Sequence, residues 1–230
     1  MSRLGRRLMS EGEFIPLTIP GCILCLEASD FNGGIWRDRS MGGNDMRAYN
    51  IAGYNGEYIS FGNTGYFKSV NTASSLVGVF ELTILCIFGF INGVGNTDAG
   101  VLELSADVNS NIRTFNVSFS NRNSLGFAFK TTSSYQIGRV TSSAIESNCL
   151  IQGDIRNYSG MMIRQGALLN NKDITFQYTD VDNRGLVENY LYVGSRAVTS
   201  RFFGGNMKRL IVYNRMLNAD ELNRLVNFAI

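Results

Sequence analysis

The chain has 230 residues, of which 44% are hydrophobic and 11% aromatic, with 25 glycines, 2 prolines and a formal net charge of +2. This balance suits a large β domain punctuated by glycine turns, and so weak a charge gives no field able to hold nucleic acid. Histidine is absent, which removes Ser-His-Asp and Cys-His catalysis, imidazole bases and His-ligated zinc.

Residues 1–13, MSRLGRRLMSEGE, form a polar, basic arm. The arm reads either as a loose terminus or as a docking peptide with Arg3, Arg6 and Arg7 as its contacts. A signal peptide is not expected, because Ser10, Glu11, Gly12 and Glu13 interrupt the apolar run it would need. No segment approaches the ~20 apolar residues of a transmembrane helix, so no membrane insertion is expected.

From Ile15 onward strands and turns alternate. CILCLEA (22–28) is a first strand, followed by a long loop that carries Trp36, Asp30, Asp38 and Asp45. Cys22 and Cys25 stand three apart in that strand, so alternation is expected to point them to opposite faces. With no second CxxC pair, all four cysteines (Cys22, Cys25, Cys86 and Cys149) are expected to be free thiols. Further strands are predicted at 57–62, 65–70, 80–91, from 101, at 113–120, 189–196 and 207–214. In 207–214 both faces are largely apolar, so that strand should be covered on each side. GMMIRQGALLN (160–170) is predicted to be a hairpin turning at Gln165-Gly166. Many short strands without helical periods predict an antiparallel sandwich or barrel.

The end of the chain is different. In LNADELNRLVNFAI, Asn218 and Glu221 have capping-box spacing, and Leu217 and Leu222 sit at staple positions. Leu222, Leu225, Val226 and Ala229 make one apolar stripe, so this helix must lie on something apolar.

GGNMKRLIVYNRMLNADELNRLVNF resembles the closing signature of the laminin-G-like, concanavalin-A-like jelly rolls. IPGCILCLEASDFNGGIWRDRSMGGNDM is similar to that family's opening, with Glu27 in place of its first Asp and Met41 intruding before Gly42. MMIRQGALL resembles its central hairpin and LYVGSR its penultimate strand. The resemblance implies an all-β, antiparallel jelly-roll β-sandwich with a short C-terminal helix, spanning residues 14–230 behind the arm.

Relatives with this fold include lectins, glycoside hydrolases and adhesion modules. The Glu-x-Asp-x-x-Glu cluster of the laminarinase-like hydrolases is missing; Glu103 and Asp107 share a face without a third acid. Calcium in sugar-binding relatives is held by an Asp-Glu pair whose matching positions here are Lys208 and Arg209, so no cofactor and no metal are expected. Asp30, Asp38 and Asp45, or Asp180 and Asp182, offer oxygen ligands, but the same acids suit Asx-turns. For a sugar, the ligand-binding candidates are Tyr54 and Tyr178 as exposed aromatic platforms and Asn183 as an amide for the hydroxyls, whereas Trp36 matches a packed family position.

The opening MSRLGRRLMS is similar to openings of small proteins of bacteroidete phages and mobile elements. Together these features imply a non-enzymatic structural or adhesion module, set outward on a phage particle (fibre, tail or capsid decoration) with protein partners, homo-oligomers among them, and glycans as a further ligand. Its location would then be the virion or the cytoplasm of the producing cell. The alternatives are a free lectin-like carbohydrate-binding protein and, behind it, a glycoside hydrolase or lyase.

Overall fold

The computed structural model describes residues 14–51, 53–90, 99–105, 113–120, 124–130, 135–141, 149–154, 161–165, 172–174, 185–195 and 201–229. Arg3, Arg6, Arg7, Asp107, Tyr178, Asp180, Asp182 and Asn183 lie outside them. A short helix, α1 (Ile15–Thr18), leads into the strands β1 (Cys22–Asn32), β2 (Ile35–Asp38), β3 (Met46–Tyr49), β4 (Gly53–Tyr54), β5 (Ile59–Ser60) and β6 (Tyr66–Ser69). There follow β7 (Glu81–Phe90), β8 (Ala99–Ser105), β9 (Thr114–Ser120), β10 (Ser124–Lys130), β11 (Tyr135–Thr141) and β12 (Cys149–Asp154). The chain continues through β13 (Met161–Gln165), β14 (Lys172–Ile174), β15 (Tyr190–Val193) and β16 (Gly205–Tyr213) to a helix, α2 (Ala219–Ala229).

These strands form one hydrogen-bonded path, β11-β10-β9-β8-β15-β6-β3-β2-β1-β16-β7-β12-β13-β14, with β5 and β4 added beside β16. The described pairs β1·β16, β1·β2, β3·β6 and β15·β8 are antiparallel, as are the rest. The path folds back on itself at β1, whose first half pairs with β16 while Phe31 and Asn32 pair with β2. Its two far ends, β11 and β14, approach one another. The result is an antiparallel β-sandwich with a front layer (β11 to β2) and a back layer (β1 to β14).

Between the layers lies the main core. Trp36, Met46, Phe67, Leu104, Phe115, Leu191 and Val193 come from the front layer, and Leu24, Leu26, Ile84, Cys86, Ile151 and Val212 from the back. Strand alternation predicts this division, since Leu24, Leu26, Leu210 and Val212 point in while Cys25, Ile211 and Tyr213 point out. Each fully buried large apolar side chain contributes about 1.5–3 kcal/mol.

The outer face of the back layer has its own apolar cluster, in which Cys25, Leu85, Leu150, Ile211 and Tyr213 meet Ile19, Leu217, Leu222 and Leu225. The strand at 207–214 is therefore covered on both sides, as its sequence predicts. The predicted capping box is formed: the Glu221 amide donates to Asn218 Oδ1 at 3.0 Å, and the Asn218 amide donates to Glu221 Oε2 at 3.0 Å. Arg215 adds a bidentate clamp, donating from Nη1 and Nη2 to Glu221 at 2.9 and 2.5 Å, and from Nε to the Pro20 carbonyl at 2.9 Å. That clamp ties the helix start to the segment before β1.

Two expectations are corrected. Cys22 and Cys25 do not point to opposite faces, because the register between β1 and β16 shifts between Cys22 and Leu24. This bulge adds one residue, Ile23, which turns into the core, and both thiols end on the helix-facing side. The freed Ile23 carbonyl accepts from Asn44 Nδ2 at 2.8 Å, and Gly42 packs so close to it that a Cβ would lie 2.0 Å from that oxygen. All four cysteines are free thiols. A hydrogen bond from Cys22, then burial, pushes the Cys25 thiol up; burial, then Cys149, does the same to Cys86. Both stay protonated, which suits packing and not nucleophilic or metal chemistry.

The second correction concerns the hairpin after Gly160. β13 pairs with Lys172–Ile174, Ile163 standing opposite Lys172, so Gln165-Gly166 cannot be the two-residue centre of that pairing.

Candidate functional site

The outer face of the front layer carries a different population of side chains. In β3, Met46 faces the core and Arg47 and Tyr49 face out. In β6, Phe67 faces in and Tyr66 and Lys68 face out; in β15, Leu191 and Val193 face in and Tyr190 and Tyr192 face out. Register then aligns these positions across the sheet. Arg47 stands opposite Lys68, Lys68 opposite Tyr192, Tyr192 opposite Glu103, and Glu103 opposite Asn116. One row thus crosses β3, β6, β15, β8 and β9.

Aromatic contacts stiffen the face. Tyr49 and Tyr66 stack almost parallel, 8° apart with centroids at 4.9 Å, and Tyr66 also meets Phe202 at 6.2 Å. Lys68 Nζ lies 3.8 Å from the Tyr190 ring centroid and 5.8 Å from that of Tyr192, both within cation–π range. Tyr192 is 2% exposed. Burial first, then the neighbouring Tyr66 and Glu103, push its hydroxyl up to about 12. Burial, then Tyr49, raises Tyr66 as well. These phenols therefore remain neutral, with a proton to donate, throughout the ordinary pH range. Glu103 is buried and accepts from Asn116 Nδ2 at 3.3 Å.

At one end of the row the surface opens into a cleft of about 130 Å³ lined by Arg47, Tyr49, Lys68, Ser69, Val70 and Tyr190. Pockets that enclose drug-sized ligands run to about 300–1,000 Å³. This cleft is a shallow subsite, with room for one small polar unit presented from outside. Its walls combine a ring face at Tyr190, an exposed ring at Tyr49 and two cations.

The residues singled out in the sequence stand elsewhere. Tyr54 lies in β4, beside β16 in the back layer, and its hydroxyl donates to the Gly56 carbonyl at 2.7 Å. No described contact joins it to the cleft. Trp36 is fully buried and donates from Nε1 to the Glu27 carbonyl at 2.6 Å, a structural role as expected.

The long loop expected after residue 28 is instead strand over 29–32 and 35–38, because β1 runs on to pair with β2. Asp30 thus lies in β1, Trp36 and Asp38 in β2, and Asp45 just before β3. Each of the three acids is engaged by protein donors. Asp38 accepts from the amides of Cys25, Ser40 and Asn44 and from Ser40 Oγ, in Asx-turn fashion. Asp30 pairs with Arg39, and Asp45 with Arg37. Among the described residues no group of three His, Cys, Asp or Glu side chains could hold a metal ion. At the positions matching the calcium pair, Arg209 forms a bidentate pair with Glu27 beneath the Phe228 ring, at 4.3 Å from its centroid, and Lys208 pairs with Glu57 at 3.0 Å.

Sequence reading missed the tyrosine row. Its signal was present locally, in RAY, YFK and NYLY, where polar or tyrosine residues alternate with core residues. Only the register of strands distant in sequence makes it a site.

The fold places the chain among antiparallel β-sandwiches built like known binding modules. The binding domain of botulinum neurotoxin DC, in complex with SialylT, superposes with a TM-score of 0.63 at 15% identity, covering 93% of this chain and 52% of that one. The same binding domain, in complex with rat synaptotagmin II, gives 0.60 at 16% identity, covering 90% and 51%. The CBM40 of Ruminococcus gnavus IT-sialidase, bound to alpha2,3 sialyllactose, gives 0.55 at 16% identity, covering 74% of this chain and 96% of that one. The chain thus spans about half the length of the neurotoxin binding domains and almost all of the sialidase module. No family model matches the sequence. No curated protein matches it either. No described helix is long and apolar enough to cross a membrane.

Proposed function

We propose that this protein is a non-enzymatic carbohydrate-binding module, with its ligand on the outer face of the front layer. The observation that carries the reading is the cleft formed by Arg47, Tyr49, Lys68 and Tyr190 at the exposed end of a cross-strand row whose inner members, Tyr192 and Glu103, are buried. A pyranose offers an apolar C–H face to Tyr190 or Tyr49 and hydroxyls to the Arg47 and Lys68 donors of the cleft. Support also comes from the neighbours, a binding domain in complex with SialylT and a CBM40 bound to alpha2,3 sialyllactose. That the neighbours are binding domains, and that no histidine is present to serve as a base, favours binding over catalysis.

The setting we propose is an outward-facing part of an assembly, a phage particle, with residues 1–13 docking through Arg3, Arg6 and Arg7 and residues 14–230 displayed. Tyr178 and Asn183 are proposed to extend the binding surface, and Tyr54 to form a separate minor contact. The basic opening of the sequence supports this setting. A free lectin would show the same glycan affinity without the arm.

A glycan array probed with the purified chain tests the function. Binding to a defined set of oligosaccharides is expected, weakened at least tenfold in Tyr190→Ala. Absence of binding to every glycan on the array would overturn the reading.

A further inference from the structure

Resting on the carbohydrate reading, we infer that the sugar this cleft selects is anionic, and that Arg47 and Lys68 are its paired counter-charges. The two cations stand directly opposite one another on neighbouring strands, both facing the same cleft. Like charges so placed destabilise a sheet. By contrast, Arg37, Arg39, Lys208, Arg209 and Arg215 each meet a carboxylate, and Arg224 donates to Thr18 Oγ1. Arg47 and Lys68 meet none among the described residues. Lys68 faces the Tyr190 ring instead, and the nearby Glu188 accepts from Thr72 Oγ1. Glu103, in the same row, is separated from Lys68 by Tyr192 and is engaged by Asn116.

A carboxylate or sulfate seated between the two cations relieves this repulsion and uses the guanidinium fork for a bidentate bond. The Tyr190 and Tyr49 rings then take the apolar face of the ring that bears the anion. The preference for charge arises at Arg47 and Lys68, and the general affinity for sugar at the tyrosines. A sugar acid and a sulfated sugar share this chemistry.

The test is calorimetric titration of the full chain with lactose, 3′-O-sulfolactose and a glucuronate-terminated disaccharide, at low and at physiological salt. At least one anionic sugar is expected to bind tenfold or more tightly than lactose. That margin should shrink as salt rises. The sulfate and carboxylate arms decide which anion is preferred. In the Arg47→Gln/Lys68→Gln double variant the anionic preference should vanish while the melting temperature holds. Equal affinity for lactose and both anionic sugars overturns the anion assignment and leaves the carbohydrate reading standing. An unchanged preference in the double variant overturns the assignment to these two residues. If none of the three sugars binds while the array finds a neutral ligand, the anion assignment alone fails; if the array is also blank, both fail.

Discussion

On the outer face of the back layer, Leu85, Leu150, Ile211 and Tyr213 lie under α2 and α1, and Arg209 and Arg215 are held by Glu27 and Glu221. On the outer face of the front layer, the corresponding outward strand positions carry Arg47, Tyr49, Tyr66, Lys68, Tyr190 and Tyr192, with two cations lacking a carboxylate among the described residues. Both faces belong to strands with equally apolar inner sides. The difference is one of composition: one face is closed by an apolar helix contact, and the other carries tyrosines, buried at Tyr66 and Tyr192, around two cations exposed to a cleft. Stability should respond to substitutions behind, and ligand selection to substitutions in front.

The sharpest way to break this comparison is to remove charge from each side. Glu27→Ala strands Arg209 in a nearly buried site, its side chain 12% exposed, and should cost about 3–5 kcal/mol in urea unfolding. Arg47→Ala should change stability by less than about 0.5 kcal/mol, or raise it slightly by relieving repulsion. Equal losses for the two would collapse the distinction.

Alkaline titration gives an effect of intermediate size. The Tyr192 hydroxyl, raised by burial to about 12 from an ordinary value near 10, favours the folded state while it stays neutral. Its contribution is full below pH 10 and is lost as pH rises toward 12, on the order of 2 kcal/mol. Tyr213, raised by burial and donating to the Pro16 carbonyl at 2.9 Å, adds to the same decline from the back face. Melting temperatures followed from pH 8 to 12 should fall less steeply in Tyr192→Phe than in the parent chain. The smallest effect is at the helix start, where Asn218→Ala should cost about 1 kcal/mol and leave sugar affinity unchanged.

The strands were legible because their alternation is local. Phe115 and Val117 mark the inner side of β9 without reference to any partner, and LNADEL carries its own capping signal. The bulge at Ile23 was not legible, since it depends on how β16 and the Asn44 loop receive β1, and it reversed the side on which Cys22 lies. The site was visible only in fragments. Arg47, Lys68, Tyr192, Glu103 and Asn116 come from five strands, and no window of sequence holds more than one or two of them. Sequence directed attention to loops, where sugar platforms are common, whereas the structure assembles its aromatic surface on a sheet.

β1 joins the two layers, and its partner in the back layer, β16, begins at Gly205. The Glu27–Arg209 pair alone closes a separation of 182 residues. During synthesis, then, apolar β1 emerges some 182 residues before its back-layer partner exists, with only β2 to pair with in the meantime. Closure of the sandwich is a late, non-local event, the kind that slows folding and leaves sticky edges exposed meanwhile. Yield in a heterologous host should accordingly depend on translation speed and on holding chaperones more than on the final stability of the product.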